Sequence, residues 1–494
     1  MQLALPPQTE PNTGSFPQER DAVRTWMGAL SPIAEPDDAV ELLRGLRHSN
    51  RLVNDASQRR VVLEEFRPTL TELTNNLIQT VTPQPLPMAA PFRRASALLD
   101  ELLREEANTW KILLAHSEQP QLTDAALALS ALHSQAVAAV QQYRCVPRSC
   151  MRDAHQIYAF CESAELLTRS GGARHANDDK IDDLLNAYSG IMIMAIMDLR
   201  QIRAKQLDLS IAFIGEHRDK IRLSQQAPGT LWRDTDCVVN LNSGEYPVPA
   251  ASYLGKLDDP AVRWLNFSVL KEAVDNRLAR TRTTVSMTLG ADTLERQTLT
   301  RLSHDLAGNR HRKLNRCISY NPVALAFGHQ QISNQLLRDV DAQSQKTDDV
   351  RVDWTRINYS SKGAAFRSID PNIGTAQVGE LVALKEDDAT TLGIVRWVHS
   401  AEDGCISIGM EFLSNVVIPV ELSRNNADDG ITDEALIVAC RIEGKVTQTI
   451  LLPGYRFHTG DRLTASQVEK QKHIKLGQCL QSNGMFSQFV LNEA

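Results

Sequence analysis

Between residues 21 and 204, apolar positions recur every three or four residues, the spacing of amphipathic helices. Asp37 and Asp38, directly after Pro36, suit the start of a helix that carries Leu42, Leu43 and Leu46. The stretch 57–81 sets Val61, Val62, Phe66, Leu70, Leu73, Leu77 and Ile78 on one stripe before Pro83, Pro85 and Pro87 break the chain. A long helix with Phe92, Leu98, Leu99, Leu102, Leu103, Trp110, Ile112 and Leu113 is predicted next, then helices over 123–143, 149–169 and 178–204. One buried stripe per helix and short connections predict an antiparallel helical array. The Met-rich run 191–197 admits two readings: an adaptable partner-binding groove, or core of a helix buried on most sides.

The pattern then changes. Residues 205–307 are mixed, with a strand at 236–241, a Pro- and Gly-containing loop through Tyr246-Pro247-Val248-Pro249, and helical periodicity over 264–280 and 293–306. From about Cys317 onward the alternation is that of strands, at 352–357, 379–384, 392–398 and 405–412, interrupted by a polar insertion at 330–347 that reads as partly helical. The block 435–494 repeats the β character, with strands at 435–440 and 447–452. Asn483-Gly484 is a hairpin candidate between 474–480 and 486–491, because Asn-Gly supports two residues at positive φ. This block reads either as a second small β-domain or as strands completing the first one. The predicted fold class is therefore α+β multidomain: a disordered Pro- and Gln-rich tail (1–20), a helical array (21–204), a mixed connecting region (205–307), a small β-barrel (308–423) and a further small β segment (435–494).

Composition narrows the function classes. The net charge of −7 argues against a general nucleic-acid coat protein. No apolar run reaches the length of a membrane span, and the N-terminus lacks the charged start and apolar core of a signal peptide, so a cytoplasmic protein is expected. The eight cysteines, at 145, 150, 161, 237, 317, 405, 440 and 479, form no CxxC, and no His cluster completes a metal site; reduced, mostly buried thiols are expected. Neither Gly-x-Ser-x-Gly, nor a phosphate loop, nor His-Glu-x-x-His is present, and His155, His304, His311 and His458 are dispersed, so no enzyme activity is expected. Arg277, Arg280, Arg282, Arg296, Arg301, Arg310, Arg312, Lys313 and Arg316 outnumber Asp292, Glu295 and Asp305 over 276–316. That excess suits a solvated basic face or the steering of an anionic nucleotide. No helix-turn-helix, zinc finger or stacked-aromatic pattern accompanies it, which speaks against a nucleic-acid partner.

Two short elements carry candidate chemistry. The first is Arg312-Lys313-Leu314-Asn315-Arg316, an arginine pair at i, i+4. The second is Asn358-Tyr359-Ser360-Ser361-Lys362-Gly363, at the end of a predicted strand that enters a turn. Arginine pairs bidentately with phosphate or with the O6/N7 edge of guanine and stacks on bases. Asn and Ser offer an amide and a hydroxyl, and Gly permits a backbone approach that a Cβ would block.

An arginine pair followed by Asn-x-Ser-x-x-Gly in a small β-domain resembles the PilZ family. The succession Val378-Gly379-Glu380-Leu381-Val382, Gly393-Ile394-Val395-Arg396-Trp397-Val398 and Ile408-Gly409-Met410-Glu411-Phe412-Leu413 resembles the later strands of a PilZ barrel. Upstream, Tyr143-x-x-x-Pro147, His155-Gln156-x-Tyr158, Ala164-Glu165, and Trp354 before Asn358 are similar to proteobacterial proteins that carry a long helical region before a divergent PilZ-like domain. The resemblance implies a PilZ-like barrel at 308–423 and binding of cyclic di-GMP through Arg312, Arg316, Asn358, Ser360 and Gly363, without a cofactor or metal. It also implies a cytosolic signalling effector whose helical region meets a protein partner, in the control of motility, attachment or exopolysaccharide. The alternative is a ligand-free, degenerate PilZ-like scaffold whose helical array is the working surface.

Overall fold

The computed structural model describes residues 3–9, 17, 19–28, 36–82, 84–168, 176–228, 233–283, 291–307, 315–342, 353–372, 376–386, 389–424, 433–454, 456–467 and 470–493. The chain folds as two compact units. One comprises Met1–Gln84, Ala89–Leu199 and Ala204–His311; the other comprises Pro85–Met88, Arg200–Arg203 and Arg312–Ala494.

In the first unit, α1 (Arg20–Gly28), α2 (Pro36–Arg51), α3 (Ala56–Val81) and α4 (Ala90–His116) are followed by α5 (Leu122–Gln141), α6 (Arg148–Ser163), α7 (Ala176–Ile196) and α8 (Ala204–His217). The start of α3 is set by Asp55, whose Oδ1 accepts from the backbone N–H groups of Ser57 (2.8 Å) and Gln58 (2.9 Å), two donors the helix itself leaves unpaired. The predicted stripes are buried: Leu42 and Leu46 of α2, Phe66 and Leu70 of α3, and Leu99 and Leu102 of α4 share one apolar cluster. Met192, Met194 and Met197 are buried too, which favours the core reading of the Met-rich run. In the stretch expected to be disordered, Leu3 is buried and Thr9 pairs in parallel with Leu52.

Two of these helices end on residues that propensity does not flag. Tyr143 (φ 58°) and Glu165 (φ 56°) adopt the left-handed conformation, and the following N–H groups reach back, Arg144 to Ala139 O and Leu166 to Cys161 O, both at 2.9 Å. This is the Schellman closure that glycine usually provides. The helix expected over 149–169 therefore stops at Ser163, and Tyr143 and Glu165, two of the residues behind the upstream resemblance, act as helix terminators.

His155 and Tyr158, from another element of that resemblance, meet Tyr188 of α7 in the core. Tyr158 stacks on Tyr188 with ring centroids 4.7 Å apart. His155 Nε2 faces the Glu245 carbonyl at 3.4 Å, and Nδ1 lies 2.8 Å from Tyr188 Oη. A carbonyl only accepts, so Nε2 carries the hydrogen and the neutral ring accepts the tyrosine hydroxyl at Nδ1. Burial pushes the His155 imidazole down to about 4, against a weaker opposing pull from the Glu245 carbonyl.

Beyond α8 stands a four-stranded antiparallel sheet of β1 (Arg222–Ser224), β2 (Asp236–Asn240), β3 (Val248–Pro249) and β4 (Val262–Asn266), in the order β1-β4-β2-β3. Then come α9 (Ser268–Thr283) and α10 (Ala291–Leu306). The helix predicted from residue 264 is corrected here: Trp264 lies in β4, packed with Val238 and Val262, and the helix starts after Asn266, whose Oδ1 accepts from Ser268 N–H at 3.1 Å. A short apolar run fits either periodicity, and pairing with β1 and β2 decided it. The helix predicted over 178–204 ends at Ile196, and α8 begins only at Ala204.

The second unit holds two closed barrels. The first is built from β5 (Cys317–Ile318), β6 (Pro322–Phe327), β7 (Trp354–Ser360), β8 (Gly363–Ser368), β9 (Leu381–Glu386), β10 (Ala389–Ser400) and β11 (Ile406–Ser414). Strand pairing runs β6-β9-β10-β11-β8-β7 and returns to β6, with β5 extending β6 along β7. The ladder is carried over the join by Ser319 N–H to Ile357 O (3.0 Å) and Arg356 N–H to Asn321 O (2.8 Å). Helix α11 (Gly328–Ala342) occupies most of the polar insertion, as its pattern suggested; 343–347 lie outside the described residues.

The second barrel closes in the order β12-β13-β14-β17-β16-β15, from β12 (Val417–Arg424), β13 (Asp433–Ile442), β14 (Lys445–Pro453), β15 (Arg462–Gln467), β16 (Lys470–Ser482) and β17 (Phe486–Glu493). The final block is thus a closed barrel rather than a completion of the first, and it includes β12, which pairs with β13 and β15. Val420, Ala435, Ile450, Leu463, Ile474 and Phe489 fill its interior. Ile332 of α11 joins Leu381, Leu392, Leu436, Val438 and Phe486 in a cluster that both barrels share.

The Asn483-Gly484 hairpin exists, one residue out of the expected register. Only Gly484 has positive φ (85°), while Asn483 Oδ1 accepts from the N–H groups of Met485 and Phe486. A turn with both central residues at positive φ is found instead at Glu443 (47°) and Gly444 (84°), between the paired Ile442 and Lys445.

Candidate functional site

The second motif folds as a tight hairpin. Ser360 of β7 pairs with Gly363 of β8, leaving Ser361 and Lys362 as the two turn residues. Ser360 Oγ accepts from Lys362 N–H (3.4 Å) and donates to Gly363 O (3.3 Å), so the hydroxyl braces its own turn. Gly363 answers a steric demand of the barrel. A Cβ placed there would stand 2.2 Å from the Met410 carbonyl oxygen of β11, the strand to which β8 pairs. Gly363→Ala is expected to lower the unfolding free energy of this unit by about 1–3 kcal/mol, read from its denaturant midpoint. An unchanged midpoint would mean that β8 and β11 separate without cost.

The first motif reaches the second through strand pairing. β5 lies along β7 with Ile318 opposite Asn358 and Cys317 opposite Tyr359. That register places Arg316 beside the hairpin, and its Nη1 donates to Asn358 Oδ1 at 2.7 Å. The structure therefore brings together Arg316, Asn358, Ser360 and Gly363 at one end of the barrel; Arg312 lies outside the described residues. The insertion between the two motifs does not keep them apart, because β5 and β6 follow one path along β7 on its near side.

Sequence reading missed Arg356. Its guanidinium lies 4.9 Å from the centre of the Tyr359 ring, Nε donates to Ser319 Oγ at 3.2 Å, and Nη1 is bound by Glu386 of β9. A planar cation held on both edges fixes the ring above it. The signal was available, since Arg356 stands two residues before Asn358 in an alternating strand. On β8, Arg367 is paired with Asp403, whose carboxyl is held below its ordinary value by the Cys405 backbone N–H first and by Arg367 second. Ile318, Tyr320 and Tyr359 add exposed apolar and aromatic surface.

Guanidinium, amide, hydroxyl and open aromatic surface at one barrel end can recognise a planar anion. Among the described residues no group of three or more His, Cys, Asp or Glu side chains is placed to hold a metal.

The match to a family model bears on the other end of the chain. Residues 21–229 match the family model described as the N-terminal domain of the cyclic-di-GMP receptor FimW. Along its whole length the chain is similar to the cyclic-di-GMP receptor FimW of Pseudomonas aeruginosa, with 21% identity over 572 aligned positions that cover 100% of this chain and 94% of that protein. No solved structure matches. The matched segment 21–229 runs from α1 through β1 and stops well before Arg316, so the family match and the barrel motifs are separate observations. The residues it includes are those of the helical unit, among them Tyr143, His155, Tyr158 and Glu165.

Proposed function

We propose that this chain is a non-enzymatic signalling receptor that binds cyclic di-GMP on its first barrel, which serves as a PilZ-like domain. The observation that carries the reading is the Arg316–Asn358 hydrogen bond at 2.7 Å, which joins two motifs 42 residues apart. Arg316 and Arg312 supply planar cations for phosphate or for the guanine O6/N7 edge. Asn358 and Ser360 supply an amide and a hydroxyl, and Gly363 keeps the hairpin tight against β11. Similarity to a cyclic-di-GMP receptor along the whole chain, and a family match over 21–229 that contains none of these residues, support the same ligand.

Binding would reorder the segment around Arg312–Arg316 against the barrel and alter how the helical region meets a protein partner in the cytoplasm. Such coupling requires that the ligand favour one of two states by its differential affinity. No helix among the described residues is long and apolar enough to cross a membrane. Calorimetric titration of the full chain with cyclic di-GMP tests the reading: saturable heat at a one- or two-ligand stoichiometry is expected. Absence of heat would sink it and leave the ligand-free scaffold.

A further inference from the structure

The segment 3–9 lies against the helical unit and is held largely through its backbone. At one end Leu3 is buried, and the Ala4 N–H donates to Gln156 Oε1 of α6 at 3.0 Å. At the other end Thr9 pairs in parallel with the link between α2 and α3. Its N–H donates to Arg51 O (2.7 Å), and its carbonyl accepts the Val53 N–H (3.0 Å). Gln8 Nε2 adds a bond to Asn50 O at 3.4 Å. Between the two ends, Pro6-Pro7 restricts the chain to extended conformations.

The edge that receives Thr9 is held from beneath by groups outside this segment. Arg59 of α3, only 1% exposed, donates from Nη1 to Ser49 O (2.9 Å) and from Nη2 to Leu52 O (2.7 Å). Asn50 is fully buried; its Nδ2 donates to Glu105 O of α4 at 2.9 Å, and its Oδ1 accepts the Thr109 hydroxyl at 2.8 Å. Asp55 then caps α3. These bonds do not depend on segment 3–9, so Arg51 O and Val53 N–H form a preformed edge for an extended chain. The segment itself is lightly held. Leu3 is its one buried residue, and Ala4, Pro7 and Thr9 are exposed. A contact with so few buried apolar groups and solvent-facing backbone bonds opens easily.

We propose that this groove is a docking site for an extended segment of a partner protein, and that segment 3–9 closes it in cis as a detachable strap. The strap shows what the partner must offer: an apolar anchor, a proline-stiffened extended stretch, and a residue whose N–H and C=O pair with Arg51 and Val53. A tethered strap competes at an effective concentration of about millimolar, so the intact chain hides the groove until the strap is displaced.

The probe is a synthetic peptide copying residues 1–12, labelled with fluorescein at its C-terminal end and followed by fluorescence anisotropy. It is titrated with two full-length chains, wild type and a released variant that combines Leu3→Asp with Thr9→Pro. The first substitution charges the anchor and the second removes the Thr9 N–H. The released variant should keep the far-UV circular dichroism of wild type and bind the peptide saturably, and wild type should bind it about tenfold or more weakly. A peptide carrying Leu3→Asp should lose about tenfold or more against the released variant. In wild type, the Thr9 and Val53 amides should exchange with deuterium faster than those of Phe66 and Leu70 in α3. The proposal is overturned if the released variant loses its helical signal or fails to bind the peptide. It is equally overturned if wild type binds as tightly, if the Leu3→Asp peptide binds as well, or if Thr9 and Val53 exchange as slowly as α3. None of these readouts involves cyclic di-GMP, so the barrel reading stands or falls separately.

Discussion

Arg316→Ala is expected to weaken cyclic di-GMP binding by about 30-fold or more in calorimetry, because truncating one partner of a desolvated charge pair costs about 2–5 kcal/mol and 1.4 kcal/mol is tenfold. The side chain is exposed, so the same substitution should move unfolding by no more than about 0.5 kcal/mol, and the loss can be assigned to binding. Arg316→Lys keeps the charge and loses the planar fork, which places it between alanine and wild type. Asn358→Ala removes the carbonyl that holds the guanidinium at 2.7 Å and should give a smaller loss, through a less well positioned arginine. An Arg316→Ala chain that binds as tightly as wild type would overturn the assignment of this site.

Acid should destabilise the helical unit through His155. Its ring is neutral in the folded chain, with burial holding it at about 4, and in the unfolded chain it returns to the ordinary value near 6.5. Between these values the unfolded state binds the extra proton, so the stabilisation is complete above about pH 6.5 and is lost as the pH falls toward 4. The slope is about 1.4 kcal/mol per pH unit, about 3 kcal/mol in all. Urea unfolding at several pH values, followed by far-UV circular dichroism, reads it. A His155→Gln chain, though less stable at neutral pH, should show a pH dependence shallower by that one proton. An identical slope in the variant would show that His155 does not titrate in this range.

The helical unit was the more legible half of the chain. Leu42, Phe66, Leu70 and Leu99 recur at helical spacing because each helix buries a single face, and that need is written in local periodicity. What escaped were endings. Tyr143 and Glu165 terminate helices in a conformation their residue types rarely adopt, and the boundary at Ser163 goes with the backbone closure of Leu166 N–H on Cys161 O rather than with the propensity of Glu165. Trp264 was misplaced for a related reason. Five apolar-rich residues suit a strand or a helix equally, and their partners lie 22 or more residues earlier in the chain.

In the barrels, alternation located most strands, and the turn chemistry was informative where a glycine was required. Gly484 marked the last hairpin, although the turn is centred one residue beyond the expected pair. Glu443-Gly444 gave no comparable signal, since glutamate at positive φ is tolerated there only because the flanking strands are already paired.

By itself the sequence determined the residue types of the candidate site: two arginines four apart, and an amide, a hydroxyl and a glycine at fixed spacing. It also determined that Gly363 would matter, though the reason it suggested was ligand approach, whereas the barrel itself demands the missing Cβ against Met410 O. Only the tertiary structure decided that the two motifs meet. Strand pairing is a long-range choice, and the register that sets Ile318 opposite Asn358 goes with closure of the six-stranded ring around Trp354 and Phe366. That closure turns the intervening insertion into a side excursion headed by α11 and leaves Arg316 in hydrogen-bond contact with Asn358.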